Sequence, residues 1–111
     1  ITMLGELLGI FERVIRSNKR IKANFNTLLK KKFAEKADEY AFLDPFVGEF
    51  VYADRKITFV GDASDEELAR GVTESVKELA EEFGVLPELR NECVFWARKH
   101  QRELGRIAFS L

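Results

Sequence analysis

The sequence is short of the residues from which small reactive sites are commonly built: one cysteine, one histidine, one tryptophan and one methionine in 111 residues. A lone Cys93 forms no internal disulfide, so nothing asks for an oxidising compartment. No signal-peptide pattern is read either, and the expected location is cytoplasmic. One Cys and one His cannot complete a zinc site within a single chain. Cys93 and His100 are seven residues apart on what reads as one helix, about 10 Å along its axis. That is too far for one ion, or for the hydrogen bond of a Cys–His nucleophile pair. Apolar runs are only a few residues long, which predicts no membrane insertion. There is no Gly-x4-Gly-Lys-Ser/Thr phosphate cradle and no Gly-x-Ser-x-Gly elbow. Together these absences predict a chain that is not an enzyme, with no catalytic residue, no metal ligand and no cofactor.

What is present is a globular composition: 46 % hydrophobic, 33 % charged, ten phenylalanines and two prolines. The length fits one domain over 1–111 that can bury a core without staples. Because the chain opens Ile1-Thr2-Met3, we read it as a fragment excised from a longer protein.

Periodicity predicts a mostly helical α+β fold in the order helix–helix–β-hairpin–helix–helix. Leu4, Leu7, Leu8, Phe11, Val14 and Ile15 mark one face of a first helix, and Phe25, Leu28, Leu29 and Phe33 a second, with Asn24 as its cap. A rival reading joins them. Leu4, Leu7, Phe11, Val14, Asn18, Ile21, Phe25 and Leu28 alternate steps of three and four, as in one long coiled-coil helix with a register-setting Asn. Asp44-Pro45 ends the helical half. Val47–Tyr52 and Lys56–Val60 alternate as strands about a turn at 53–55, with Phe46, Phe50, Tyr52, Ile57 and Phe59 expected on the covered face. Ser64 with Glu67 forms a capping box for a third helix, which Gly84 ends. Pro87 begins a fourth helix running to about Ile107, with Cys93, Trp96 and His100 on one face.

Charge is uneven. Arg13, Arg16, Lys19, Arg20, Lys22, Lys30, Lys31 and Lys32 occur without an acid among them, whereas 35–92 holds sixteen acids and six bases. Such asymmetry predicts surfaces that attract one another, within the chain or between two. The glutamates of the third helix read as its solvated face.

The junction Tyr40-Ala41-Phe42-Leu43-Asp44-Pro45-Phe46, set between basic amphipathic helices and a short hairpin, resembles small C-terminal modules of archaeal signal-transduction proteins, of the sensor or HTR-like type. The likeness covers roughly Leu4 to Phe83. It implies an accessory piece without an activity of its own. His100 lacks the neighbouring acid usual at kinase phospho-sites, and no glycine-rich ATP lid is present.

Three functions follow as expectations. The first is a non-catalytic interaction or regulatory module of a signalling protein, dimerising or binding a protein partner through Leu4, Leu7, Phe11, Val14, Asn18, Ile21, Val94, Phe95 and Trp96. The second is nucleic-acid binding by the basic segment 13–32. The third is a small-molecule sensor with its pocket between the hairpin aromatics and the helices.

Overall fold

The computed structural model describes residues 2–109; Ile1, where the chain opens, lies outside them. Helix α1 spans Thr2–Ser17 and α2 spans Phe25–Lys36. A 3-10 turn at Ala41–Leu43 leads to strands β1 (Phe50–Ala53) and β2 (Lys56–Phe59). Helices α3 (Asp65–Glu82), α4 (Leu86–Glu92), α5 (Val94–Lys99) and α6 (Gln101–Arg106) follow. The expected mostly helical α+β order is present.

The long coiled-coil helix is not. Asn18 Oδ1 accepts the backbone N–H of Arg20 at 2.9 Å, and Asn24 Oδ1 accepts those of Asn26 and Thr27 at 2.9 and 3.3 Å. The first bond closes a turn that competes with helix, and the second caps a new helix. Asn18 therefore breaks the seam rather than setting its register.

Leu7, Leu8 and Phe11 are fully enclosed where α1 meets α2, α3 and α4. The hairpin lies over this core. Its covered face carries edge-to-face aromatic pairs, Phe33 with Phe50 at 5.2 Å and Phe25 with Tyr52 at 6.0 Å between ring centres. Beneath them Phe11 meets Phe25 at 5.5 Å, in the geometry that ring quadrupoles favour. Asp54 and Arg55 both take positive φ, 52° and 64°. With Ala53 paired to Lys56, this is the two-residue turn whose twist matches its strands.

Phe46 departs from expectation. It is 94 % exposed, not on the covered face. Asp44 Oδ1 accepts its N–H at 2.9 Å, and Val47 N–H bonds Asp44 O at 3.1 Å. That Asx turn ends the alternation and lifts Phe46 and Val47 outward before β1 begins.

On α3 the capping box forms, with Ser64 Oγ accepting Glu67 N–H at 3.1 Å. At its other end Gly84 has φ 67°. Val85 N–H bonds Ala80 O at 2.9 Å and Gly84 N–H bonds Glu81 O at 3.1 Å, a Schellman closure that satisfies the last carbonyls. Gly71 lets the 3-10 turn come close: a Cβ there would sit 3.1 Å from the Phe42 ring and 3.2 Å from Leu43. The aromatic junction is thus a packing element against α3.

The single fourth helix expected from Pro87 to about Ile107 is instead bent into three. Cys93 (φ −94°, ψ 3°) and His100 (φ −110°, ψ 26°) leave helical geometry. The bends hold the segment against the start of α1. Trp96 Nε1 donates to Met3 O at 2.9 Å, and His100 Nε2 lies 3.0 Å from Glu6 Oε1.

Candidate interaction surface

Most of the apolar residues expected to bind a partner are spent inside the chain. Leu4, Leu7, Phe11, Val14 and Trp96 are buried, and Asn18 and Ile21 are half-buried in the α1–α2 connection. Only Val94 and Phe95 remain exposed, Phe95 by 80 %. Helical periodicity marks an apolar face without saying what covers it, and here α2, α3 and α4 do.

The basic segment is divided in the same way. Arg13 pairs with Glu92 at 3.3 Å and Arg16 with Glu12. Lys32 is only 4 % exposed and meets Glu82, Glu35 at 2.9 Å and Glu78 at 3.7 Å. Lys19, Arg20, Lys22, Lys30 and Lys31 stay exposed.

Lys32 belongs to an intrachain seam of the kind the uneven charge predicts, whose members sequence reading did not name. Lys32, Lys36 and Tyr40 repeat at four-residue steps and face Glu82, Glu78 and Glu74 on antiparallel α3. Lys36 Nζ reaches Glu78 at 2.6 Å and Glu74 at 3.3 Å, and Tyr40 Oη donates to Glu74 at 2.9 Å. Burial works against the charge on Lys32, but hydrogen bonds to Glu82 and Glu35 outweigh it and raise its pKa above the lysine value. Lys36 is raised likewise against burial, by Glu78 and Glu74. Burial and the bond to Glu74 push Tyr40 up to about 12. The glutamates of α3 thus form half of an internal seam rather than a wholly solvated face. The matching four-residue spacing was the signal for it.

Among the described residues no group of three or more His, Cys, Asp or Glu could hold a metal ion. Cys93 and His100 point to different neighbours. Burial, reinforced by Glu92, pushes the Cys93 thiol up to about 11. Since the thiolate is the nucleophile, native Cys93 is expected to react with a disulfide reagent at pH 8 at least ~100-fold more slowly than the urea-unfolded chain. Equal rates in a stopped-flow comparison would refute that. Glu6 takes Lys99 Nζ at 3.0 Å as well as His100, and its carboxyl is held below the usual range, chiefly by Lys99. This cluster ties α5 and α6 to α1.

A further exposed apolar surface lies at the hairpin. Phe46 and Val47 stand out at its base, and Val51 and Val60 lie exposed on its outer side. Along β1 a groove of ≈ 330 Å³ runs between the strand and α2, lined by Leu29, Lys30, Phe33, Pro45, Phe50 and Tyr52 among others. This groove is where the sensor reading places its pocket, although the aromatics beneath it close on one another. An apolar crevice of ≈ 510 Å³ lies among α4, α5 and α6 over Cys93, Trp96 and Leu104. No helix among the described residues is long and apolar enough to cross a membrane. Comparison with protein-family models, curated proteins and solved structures finds no match to the chain.

Proposed function

We propose that the chain is a non-catalytic protein-interaction module that binds its partner at the hairpin. It would be the kind of accessory piece that the likeness to archaeal signal-transduction modules implies. The observation that carries this reading is the set of large apolar side chains held in water around one short sheet: Phe46 at 94 % exposure and Val60 at 75 %, with Val47 and Val51 beside them. Solvent-facing apolar clusters of this kind mark contact sites more often than accident. Dimerisation through the heptad seam has no support, because that seam is enclosed. Nucleic-acid binding loses Arg13, Arg16 and Lys32 to internal ion pairs, and keeps no exposed aromatic platform within the basic segment.

Selection of a random peptide display library against the whole chain tests the reading. Enriched peptides are expected to bind at least ~10-fold more weakly to Phe46→Asp and to Val51→Asp, and to bind Phe95→Asp unchanged. Circular dichroism checks that each variant is folded. If every enriched peptide ignores the hairpin substitutions, the reading fails.

A further inference from the structure

We propose that the groove between α2 and β1 receives an extended, acidic segment of a partner protein as a third strand on the free edge of β1. The proposal rests on the interaction reading above and names the partner's chemistry.

The register supplies the first ground. Ala53 pairs with Lys56 and Val51 with Thr58, and beyond the strand ends Val60 N–H bonds Glu49 O at 3.0 Å. In an antiparallel pair, bonded and non-bonded positions alternate. The bonded positions on β1 are therefore 49, 51 and 53, and Phe50 and Tyr52 direct their N–H and C=O groups away from β2. No other described group bonds these four backbone atoms. An open row of donors and acceptors is the template that an extended peptide completes.

The groove wall supplies the second. α2 stands opposite this edge; Leu29 and Phe33 are buried in the floor, and exposed Asn26 and Lys30 with half-buried Pro45 line the accessible part. A strand laid here turns every second side chain toward this lining and the others to water. A helix cannot use the edge, because its backbone bonds are internal.

Charge supplies the third. Lys30 is the one charged side chain lining the groove, it is exposed, and it makes no ion pair among the described residues. Among the described residues no carboxylate lines the groove. The potential therefore favours an acidic guest. It also argues against a second copy: pairing β1 with its own twin brings two α2 walls together and sets Lys30 against Lys30.

The test uses the whole chain, labelled with nitrogen-15, and an acetylated eight-residue peptide alternating Glu and Val. At saturation the amides of Phe50 and Tyr52 should exchange at least ~10-fold more slowly, while those of Val51 and Ala53, already bonded to β2, keep their rates. Lys30→Glu should weaken binding by about fivefold. Methylating alternate peptide nitrogens should abolish it. Absence of binding at millimolar peptide overturns the proposal, as does protection at Ile57 and Phe59 on the other edge. Protection of Phe50 and Tyr52 that grows with protein concentration alone would assign the edge to a second copy and also overturn it. If peptides selected through the hairpin bind yet leave Phe50 and Tyr52 unprotected, strand addition fails and the interaction reading stands. If no binder depends on the hairpin, both fail.

Discussion

Phe11→Ala is expected to lower the stability of the chain by about 3–5 kcal/mol, the range for a fully buried aromatic replaced by a methyl group. In a domain of this size that moves the melting midpoint down by roughly 12–25 °C. Phe11 is wholly excluded from solvent and its ring packs edge-on against Phe25 at 5.5 Å. Truncation therefore loses both the transfer free energy and the aromatic contact, and it leaves a cavity at the point where α1 meets α2. The loss is a large share of the roughly 5–15 kcal/mol that holds a typical domain together. Phe11→Leu keeps most of the volume and gives a smaller shift should the alanine variant not fold. The experiment also decides what the heptad seam is for. If Leu4, Leu7, Phe11 and Val14 form this chain's own core, the urea midpoints of parent and variant do not change over a hundredfold range of protein concentration. If the seam joins two chains, the midpoint rises with concentration, and the variant loses association before it loses helix. A Phe11→Ala chain within ~1 kcal/mol of the parent would contradict the enclosed packing of this ring.

That seam marks where sequence alone stops. Steps of three and four at Leu4, Leu7, Phe11 and Val14 are the same whether the covering helix comes from this chain or another. The deciding group is one side-chain oxygen, Asn18 Oδ1, which takes the Arg20 N–H and turns the chain. The same residue type at a seam position supports both readings, so only its bond partner separates them. Signals confined to a few neighbouring residues were legible. Asn24 caps α2, Ser64 and Glu67 form their box, and Gly84 closes α3 with positive φ. Each is fixed by backbone groups within four residues of itself.

What was hidden depends on distant partners. The bends at Cys93 and His100 accompany the contacts of Trp96 with Met3 and of His100 with Glu6, and no local rule contains those contacts. Phe46 is in phase with Phe50 and Tyr52, and strand periodicity places it inward. The Asx turn at Asp44 intervenes before the strand starts, so the phase never applies. The candidate interaction surface moved for the same reason. Periodicity selects apolar residues that recur, and those are the ones a fold buries first. The residues left in water, Phe46, Val51 and Val60, belong to no long repeat. The open edge of β1 is a property of backbone groups, which side-chain patterns do not report.

Raising the pH from 9 to 11.5 is expected to cost the fold of order 2 kcal/mol at the α2–α3 seam, the second large effect. In the folded chain burial opposes the charges of Lys32 and Lys36, but the facing glutamates more than offset it, and both lysines hold their protons above the ordinary value of 10.5. Burial and the bond to Glu74 keep the Tyr40 proton to about 12, against 10.0 for a free tyrosine. Between roughly pH 10 and 12 the folded state therefore binds more protons than the unfolded state, and stability falls as pH rises. Below that window the seam contributes in full. A tenfold difference in proton affinity between the folded and unfolded chain corresponds to about 1.4 kcal/mol, and the half-exposed glutamates reduce the sum through solvent screening. The expected loss lowers the urea midpoint by about 1.5 M. Tyr52, held by Glu12, and Cys93 lean in the same direction, so the parent profile alone does not isolate the seam. The double variant Glu74→Gln, Glu78→Gln does. It removes the α3 carboxylates facing Lys36 and Tyr40, keeps Glu39, and leaves Tyr52 and Cys93 untouched. It should be less stable than the parent at pH 9, and the gap should narrow as pH rises, because the parent loses what the variant already lacks. A gap that stays constant from pH 9 to 11.5 would mean that Glu74 and Glu78 do not hold the protons of Lys36 and Tyr40, and that this part of the seam joins α2 to α3 by packing alone.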